Sequence, residues 1–512
     1  MNLYIFDQNS PMMSIKKVFI ASFALLLGAC STKTTMNYNE PYRLQYHFSP
    51  PQKWMNDPNG LIYENGTYHL FYQYYPEDIV WGPMHWGHAV SKDLIHWENK
   101  PIALFPDEYG YIFSGSAVYD KENTSGLGTT ENPPLIAIFT YHKMEAEKAG
   151  EIDYQTQGIA YSHDHGDTWT MYQNNPVITN PGLKDFRDPK VFWHEASSSW
   201  IMSLVAGDHL QLFRSSNLID WELTSTFGQG VGAHGGVWEC PDLFELELNG
   251  EKHWVLLISI NPGGPNGGSA TQYFIGDFDG YTFSTDQEDI RWVDHGPDNY
   301  AGVTYNDVPD DSRMFIGWMS NWAYAQQTPT EAWRSSMTLP RKLSLFQATD
   351  GVRLQSQVLE AADSLKAESP SVETLDSGQS LIPFEGASQS RIYLETAAEA
   401  FSFALQNDTE RVVFSINRAD GEIVADRSKS GNVSFSEAFT SEELTADISY
   451  INDESLSFEI YVDASSIELL VAGGKTLMTL QVFPDQGYNQ IAVDNPTNEA
   501  IRLEKQRLKG IW

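Results

Sequence analysis

The chain has 512 residues, 41% of them hydrophobic, and since single cores stop growing near ~250–300 residues we expect two folded domains. Its 68 acidic and 32 basic residues give a formal net charge of −36, which argues against nucleic acid and anionic lipid surfaces as partners because phosphates would be repelled. Short runs rich in Tyr, Trp, Val and Ile lie between Gly, Asn, Asp and Pro, for example at 66–74 and 253–260. This texture predicts an all-β protein.

The N-terminal segment has the pattern of an export signal. Lys16 and Lys17 precede an apolar run, residues 18–27, that is too short to span a bilayer and ends just before Cys30. The segment resembles a bacterial lipoprotein signal, which implies cleavage before Cys30 and acylation of its thiol. A buried apolar strand is the alternative interpretation. The start codon stays open among three methionines: Met1, Met12 and Met13.

We therefore expect residues 1–30 to be a signal peptide and residues 31–41 a flexible tether. The mature protein would be attached to the outer membrane of the cell envelope by lipid alone, with the membrane face, periplasm or cell surface, left open. Only Cys30 and Cys240 are present, so lipidation of the first leaves no intramolecular disulfide. We expect Cys240 to be a buried, inert thiol.

A loose repeat follows the tether. A polar turn that closes on a Trp occurs at 91–97, 162–169 and 215–221. The spacing suits four-stranded units of roughly 40–70 residues, and radial repetition of such units makes a β-propeller. About five units fit into residues 42–346, although four or six blades, or chance similarity of hairpin turns, remain alternatives.

The first of three acidic segments in this region surrounds Asp57. In residues 54–60 (WMNDPNG), Pro58 restricts Asp57 to extended geometry and the Asn-Gly pair that follows accepts a turn. Such a turn can hold a carboxylate rigidly at a strand end, and Trp54 beside it suits the apolar face of a sugar ring. A purely structural turn is the alternative.

The second acidic segment places Arg187 beside Asp188. We expect the guanidinium to keep Asp188 ionised. A permanently ionised carboxylate is a poor proton donor, but it suits hydrogen bonds to sugar hydroxyls or an oxocarbenium-like transition state. The alternative is a structural ion pair.

The third acidic segment, residues 237–244 (VWECPDLF), contains Glu239 among apolar residues. Apolar cover and a nearby Asp57 in the fold would both favour the protonated form of Glu239. Glu239 is then the better proton donor and Asp57 the better nucleophile, the two groups that hydrolysis of a glycosidic bond needs. Asp242 is the second candidate for the proton donor.

The composition changes after residue 343. We assign residues 347–368 to a linker, which could contain a short helix, and residues 369–512 to a two-sheet β-sandwich because short β-like runs recur there. We expect the sandwich to stabilise the first domain.

Five motifs in order resemble glycoside hydrolase family 32, the fructan-degrading and invertase family. They are WMNDPNG at 54–60, FSGSA at 113–117, FRDPKV at 186–191, WECPDL at 238–243 and VDASSIELL at 462–470. The resemblance implies a five-bladed propeller followed by a β-sandwich. It also implies that Asp57 is the nucleophile, Asp188 the transition-state stabiliser and Glu239 the general acid/base of a retaining reaction without metal or organic cofactor.

The resemblance further implies a pocket for a terminal fructosyl unit. Its binding residues would be Trp54, Asn56, Gln73, Trp81, Phe113, Ser114, Arg187 and Trp322. Amides and hydroxyls suit sugar hydroxyls, and aromatic rings give apolar walls. Core packing is the alternative for a lone aromatic residue, above all for Phe113 and Trp322.

The function we expect is an exo-acting β-fructosidase that acts on levan, inulin or fructo-oligosaccharides, with sucrose as a further substrate. The glycine-rich residues 261–278 are similar to the corresponding stretch of exo-acting fructan β-fructosidases. An endo-levanase, a fructosyltransferase and a non-catalytic glycan-binding lipoprotein are the alternatives. The sequence does not decide the substrate preference or the oligomeric state.

Overall fold

The computed structural model describes residues 38–440 and 443–512, and this part of the chain is built almost wholly of β-strands. The all-β prediction is confirmed. Helical segments in these residues are short: α1 (Met144–Lys148) and 3-10 turns at Glu195–Ser197, Pro309–Asp311, Ala325–Gln327, Glu360–Leu365 and Glu437–Phe439. None of the helices in the described ranges could cross a membrane. The signal peptide, Cys30 and residues 31–37 of the tether lie outside the described residues.

Residues 53–358 form five sheets in which paired strands run antiparallel, apart from one short parallel pair. The first sheet contains β1 (Lys53–Glu64), β2 (Thr67–Tyr75), β3 (His85–Ser91) and β4 (Trp97–Leu104). The second sheet contains β5 (Tyr111–Tyr119), β6 (Leu135–His142), β7 (Gln155–Ser162) and β8 (Thr170–Met171). The third sheet contains β9 (Phe186–His194), β10 (Ser199–Ala206), β11 (His209–Ser215) and β12 (Glu222–Phe227). The fourth sheet contains β13 (Val237–Leu248), β14 (Glu251–Asn261), β15 (Ala270–Phe278), β16 (Phe283–Ser284) and β17 (Arg291–Trp292).

The fifth sheet begins with β18 (Tyr300–Thr304) and β19 (Arg313–Met319). The next strand, β20 (Trp333–Arg334), pairs in parallel with β1 instead. The fifth sheet is completed by β21 (Ser336–Met337), β22 (Arg341–Ala348) and β23 (Gly351–Val358). This parallel pair joins the first sheet to the chain segment that lies between β19 and β21 of the fifth sheet.

The first strands of the five sheets, β1, β5, β9, β13 and β18, are called the inner strands. Each contacts the inner strand of the next sheet, and β18 contacts β1, so the five inner strands close a ring. The second strands behind them are packed on both faces. β6, for example, is buried along its whole length, which explains its nearly continuous apolar sequence LIAIFTYH.

The three repeated turns of the sequence occupy equivalent places in the first three sheets. They connect β3 to β4, β7 to β8 and β11 to β12. In each turn a serine hydroxyl accepts a backbone N–H two to four residues ahead, and the residues concerned are Ser91, Ser162 and Ser215. The repeat therefore marks the outer hairpin of a sheet.

The predicted linker, residues 347–368, is wrong in its first part. Residues 351–358 form β23, which pairs along its whole length with β22. Their alternation of apolar and polar residues is that of a strand with one buried face. The remainder of the supposed linker contains the 3-10 turn Glu360–Leu365, which packs Ala362 and Leu365 into the interior.

Residues 371–507 form two six-stranded sheets. The strands are β24 (Ser371–Leu375), β25 (Gly378–Pro383), β26 (Ser390–Thr396), β27 (Ala400–Gln406), β28 (Arg411–Asn417), β29 (Glu422–Lys429), β30 (Leu444–Asp447), β31 (Leu456–Asp463), β32 (Ser466–Val471), β33 (Thr476–Gln481), β34 (Gln490–Asn495) and β35 (Ile501–Arg507). Their order is β24-β35-β26-β31-β32-β33 in one sheet and β25-β34-β27-β28-β29-β30 in the other. Alternate residues of both sheets, such as Ile392 and Phe403, share one hydrophobic core.

Candidate active site

The inner strands are all irregular near their first residues. The pairing register shifts at 55–58 in β1, 112–115 in β5, 187–190 in β9, 239–242 in β13 and 300–303 in β18. Such β-bulges turn side chains out of strict alternation and are common beside active sites. Asp188 and Cys240 also have positive φ, 64° and 44°, a conformation that costs ~1–3 kcal/mol for residues other than glycine.

The bulges direct side chains from several sheets into one cavity of about 320 Å³. Asp57 on β1, Asp188 on β9 and Glu239 on β13 all line it, so the structure brings the three predicted carboxylates together. Among residues 38–440 and 443–512, no group of three or more His, Cys, Asp or Glu side chains is arranged to hold a metal ion.

Asp57 is held by hydrogen bonds on both carboxylate oxygens. The Ser114 hydroxyl donates to Oδ2 at 2.7 Å, and the Asn56 amide donates to Oδ1 at 3.1 Å. Burial raises the pKa of Asp57, the negative charge of Glu239 raises it further, and the two hydrogen bonds oppose the shift. The carboxylate is therefore fixed in orientation, and its burial disfavours the anion.

The ionisation of Asp188 differs from what its sequence neighbour Arg187 suggested. Its carboxylate accepts the backbone N–H of Cys240 at 3.0 Å, while the Arg187 Nε lies 3.9 Å away. Burial raises the pKa of Asp188 to about 7, and the opposing influence of Arg187 is insufficient. The expectation that Arg187 keeps Asp188 ionised is wrong, because this guanidinium makes its hydrogen bonds to Asp185 and Glu239 instead.

Glu239 has polar partners rather than the apolar cover expected from its sequence neighbours. Two nitrogens of Arg187, Nη2 and Nε, donate to its Oε1 at 3.1 and 3.3 Å, and the Tyr300 hydroxyl donates to Oε2. Its side chain is 18% exposed. Trp238 is fully buried in the core on the other side of the strand, because successive residues of a strand face opposite sides.

Cys240 lies between two of the carboxylates. Its sulfur is 3.6 Å from Asp57 Oδ2 and 3.7 Å from Asp188 Oδ2. Burial and these negative charges raise the pKa of the thiol well above its usual value. The thiol is buried as expected, and this environment suppresses the reactive thiolate.

The structure excludes Asp242 from the cavity. Asp242 is buried on β13, where it accepts two hydrogen bonds from Thr304 of β18 and lies 3.4 Å from Lys190 of β9. It is the structural partner of a buried lysine and has no access to a ligand. Asp242 is therefore excluded as the alternative proton donor.

Seven of the eight predicted binding residues line the cavity. They are Asn56, Gln73, Trp81, Phe113, Ser114, Arg187 and Trp322. Trp54 does not, because its side chain is fully buried beneath the cavity, where it donates to Asn56 Oδ1 at 2.7 Å. Its ring also packs on Trp322, with centroids 5.9 Å apart. Trp54 thus supports two lining residues instead of lining the cavity itself.

The glycine-rich loop before β15 approaches the segment that carries Trp322. The Ser269 hydroxyl accepts the Trp322 N–H at 3.2 Å, and a Cβ on Gly268 would lie 2.0 Å from Asn321 Oδ1. Gly268 is therefore required for this close contact. The loop braces one wall of the cavity.

Several lining residues were not found from the sequence. They are His142, Met144, Glu147, Gln155, Asp185 and Gln326, and Tyr300 reaches Glu239 from the fifth sheet. His142 stacks on Phe113 at 4.2 Å, and burial lowers the pKa of His142 to about 4, so it stays neutral near pH 7. Asp185 precedes β9 directly and accepts a hydrogen bond from Arg187 Nη1 at 2.8 Å. The sequence around Tyr300 and His142 contains no signal for these contacts.

Comparison with known proteins gives a family match over nearly all of the described chain. The model of the glycosyl hydrolases family 32 N-terminal domain matches residues 47–357, and that of the family 32 C-terminal region matches residues 353–507. A levanase of Bacillus subtilis (strain 168) is 46% identical over 494 residues, which cover 93% of this chain and 72% of the relative. The extracellular exo-inulinase of Aspergillus awamori is 41% identical over 521 residues, which cover 93% and 96%. A crystal structure of exo-inulinase from Aspergillus awamori gives a TM-score of 0.86 at 39% identity, covering 93% of this chain and 100% of that one.

Proposed function

This chain belongs to glycosyl hydrolase family 32, and we propose that it is a retaining, exo-acting β-fructosidase that releases fructose from the ends of levan or inulin chains. Fructo-oligosaccharides and sucrose are further substrates. The observation that carries this proposal is the convergence of Asp57, Asp188 and Glu239, from three different sheets, on one cavity with polar and aromatic walls. The names of the similar levanase and exo-inulinase support fructan as the substrate class.

The first chemical step is attack by Asp57. A carboxylate oxygen of Asp57 forms a bond to the anomeric carbon of the terminal fructosyl unit as the bond to the leaving sugar breaks. Glu239 gives its proton to the departing oxygen, and Tyr300 and Arg187 hold the Glu239 carboxyl in place. Asp188 binds sugar hydroxyls and stabilises the positive charge that develops on the ring.

The second step is hydrolysis of the fructosyl ester on Asp57. Water attacks the same carbon, Glu239 accepts the proton of this water, and the Asp57 carboxylate is released. The hydrogen bonds from Ser114 and Asn56 to Asp57 support this assignment, because they fix the orientation of the carboxylate that attacks. Two inversions at one carbon leave its configuration retained.

The size of the cavity supports exo action. A volume of about 320 Å³ is at the small end of the range for small-molecule sites, ~300–1,000 Å³. Trp81 and Phe113 meet edge to face at 6.0 Å, and both line the cavity. These walls suit one terminal sugar unit, whereas an endo-acting enzyme needs a groove that accepts the middle of a chain.

Product analysis on levan, inulin and sucrose tests the activity. We expect fructose as the only early product from both polymers, and early release of oligosaccharides would overturn exo action. Addition of methanol tests retention, because a retained β-fructoside of methanol is expected when methanol intercepts the ester on Asp57. An α-fructoside would contradict the covalent mechanism.

Substitution of Glu239 tests the assignment of the proton donor. We expect Glu239→Gln to lower kcat on levan by about 10³-fold or more while sugar binding remains measurable by calorimetry. Glu245→Gln is the matched control, since Glu245 is also on β13 but pairs with Lys252 at the surface. Equal activity of the two variants would remove Glu239 from its role.

The five sheets of residues 53–358 are, in our proposal, the blades of a β-propeller, and residues 371–507 are a β-sandwich. The closed ring of inner strands supports the first part, and the common core of two six-stranded sheets supports the second. The domain boundary then follows β23, near residue 358. The family matches, which meet at residues 353–357, agree with this position.

The protein acts outside the cytoplasm in this proposal, attached to the outer membrane through a lipid on Cys30. The signal-like order of residues 16–30 supports the anchor, and the name of the extracellular relative supports the location. Labelling cells with a radioactive fatty acid tests it. Wild-type protein should incorporate label, whereas Cys30→Ser should not, and equal labelling would contradict the anchor.

A further inference from the structure

A second cavity, of about 500 Å³, lies at the other end of the inner strands. β9 carries Asp188 close to its start and Trp193 close to its end, and at ~3.3 Å per residue these two positions are roughly 17 Å apart. β5 is placed in the same way, with Ser114 in the first cavity and Tyr119 in the second. The second cavity is therefore separate from the candidate active site.

The second cavity has an exposed aromatic wall. The Trp193 side chain is 39% exposed, although it belongs to a strand whose preceding residues are largely buried. Two contacts hold it in place: its indole N–H donates to Glu195 at 2.8 Å, and its ring packs edge to face on Trp200 at 5.2 Å. A fixed, exposed indole ring provides the apolar surface on which a sugar ring can stack.

The second cavity also contains an arginine without a polar partner. Within the part of the chain that the structure describes, the Arg313 guanidinium forms no hydrogen bond or ion pair, and its buried Nε has no acceptor. Burial lowers the pKa of Arg313, and the carboxylates around it only partly offset this effect. A buried donor group without an acceptor is costly, so Arg313 is a binding group that a ligand with hydroxyl oxygens would satisfy.

The charges around this cavity identify the class of ligand. Besides Arg313 and Lys121, five carboxylates line it, those of Asp120, Glu122, Glu195, Asp307 and Asp311. The excess of carboxylates disfavours an anion, and Arg313 disfavours a cation. Donors and acceptors around an apolar ring face suit a neutral polyol, since each sugar hydroxyl both donates and accepts hydrogen bonds.

We propose that the second cavity is a binding site for a neutral polysaccharide chain, on the face of the protein opposite the active site. The inference rests on the proposed action on fructan, because a long polymer can place one end in the active site while another segment, or another chain, binds near Trp193. Attachment at a second site raises the local concentration of chain ends without any new contact in the active site. Short substrates gain nothing from attachment at the second cavity.

Affinity electrophoresis of full-length Glu239→Gln in gels containing levan, inulin or dextran tests the binding. We expect one of the fructans to slow migration, and adding Trp193→Ala to weaken this binding roughly tenfold. Tyr281→Ala, which removes another exposed aromatic residue, is the matched control and should change nothing. Arg313→Gln should weaken binding in the same direction as Trp193→Ala.

Kinetics on the otherwise wild-type chain give a second readout. Trp193→Ala should lower kcat/KM on the polymer by roughly tenfold and leave that on sucrose unchanged. If polymer binding and polymer hydrolysis are both insensitive to Trp193 and Arg313, the second site is overturned while the proposed function stands. If fructans are not hydrolysed but Trp193 controls retardation by dextran, the function fails and the glycan site stands.

Discussion

Among the buried charged side chains of the described residues, one group lies at the candidate active site and another lies where the N-terminal sheets meet the C-terminal sheets. The pocket cluster consists of Asp57, Asp185, Arg187, Asp188 and Glu239. The junction cluster consists of His47, Asp294, Arg341, Asp463 and Glu468. Both are composed mainly of carboxylates, yet their protonation behaviour differs.

In the junction cluster each charge faces an opposite one. His47 bonds to Asp463 and Glu468 at 2.8 Å each, and Arg341 bonds to Asp294 and Glu468. Burial alone would lower the pKa of His47, but these two hydrogen bonds raise it to about 9. Burial alone would raise the pKa of Glu468, but Arg341 and His47 lower it to about 2. The cluster therefore favours the charged forms of both His47 and Glu468.

In the pocket cluster three carboxylates, those of Asp185, Asp188 and Glu239, share the guanidinium of Arg187, and Asp57 forms no ion pair with it. Burial therefore dominates, and the pKa values of Asp57 and Asp188 rise. Buried carboxylates that are paired with cations form a rigid cluster, whereas buried carboxylates with too few cations are suited to take up and release protons. The four predictions below test this difference.

The largest expected effect is on stability, from removing one partner in the junction cluster. Arg341→Met leaves Glu468 and Asp294 buried with less compensation, so we expect the free energy of unfolding to fall by about 3–5 kcal/mol. Urea unfolding of the full chain measures it. Arg507→Ala, which breaks an exposed pair with Glu368, is the control and should change the free energy of unfolding far less. Equal losses would show that the junction charges are not special.

The next effect is the pH dependence that His47 gives to stability. Since the folded-state pKa of His47 is raised from 6.5 to about 9, its contribution is complete below pH 6.5 and is lost as the pH rises through 9. The loss is on the order of 3 kcal/mol. Thermal unfolding between pH 6 and pH 9.5 should show it in the wild type and much less of it in His47→Gln. Parallel curves for the two proteins would contradict this role.

These junction residues show what sequence reasoning could not reach. The motif VDASSIELL was recognised, but the roles of Asp463 and Glu468 depend on His47 and Arg341, which are more than 100 positions away along the chain. Asp57, Asp188 and Glu239, which line the cavity, were found because each is embedded in its own local motif. Tyr300 was missed because its contact with Glu239 exists only after five sheets close a ring.

Ionisation was also predicted incorrectly from neighbours in sequence. Arg187 directly precedes Asp188, but the pairing register of β9 shifts between residues 187 and 190, and the guanidinium bonds to Asp185 and Glu239. Trp54 was misplaced for a similar reason, since its position in a recognised motif did not reveal that its ring lies below the cavity. Sequence motifs located the site, whereas the balance of charges inside it required the fold.

Removing a pocket charge should change the free energy of unfolding less than Arg341→Met does, and in the opposite direction. The pKa of Asp188 is raised from 3.8 to about 7, so its ionisation costs stability increasingly as the pH rises through this window. Asp188→Asn should therefore gain on the order of 1–3 kcal/mol at pH 8 and little near pH 4, while activity is lost. Chemical unfolding at both pH values measures this gain. A loss of stability at pH 8 would show that Asp188 is a compensated charge like Glu468.

The smallest effect should come from Arg427, which connects the C-terminal sheets to the pocket wall. Its guanidinium donates to Asp298 at 2.6 Å and to the Tyr324 hydroxyl at 2.8 Å, and Tyr324 begins the turn that follows the pocket residue Trp322. Lysine keeps the charge but cannot span both acceptors in the same geometry. Arg427→Lys should raise KM for sucrose roughly threefold, with kcat nearly unchanged, because Trp322 lines the cavity and the proposed mechanism gives it no part in bond breaking.

The matched control for this last change is Arg502→Lys, at a half-exposed position on β35 remote from Trp322 in its contacts. It should leave both kinetic constants unchanged. If Arg427→Lys lowers kcat without affecting KM, the C-terminal sheets act on the catalytic carboxylates instead of the pocket wall. If neither constant changes, matched charges at the junction stabilise the fold without positioning the site, and the two clusters are independent of each other.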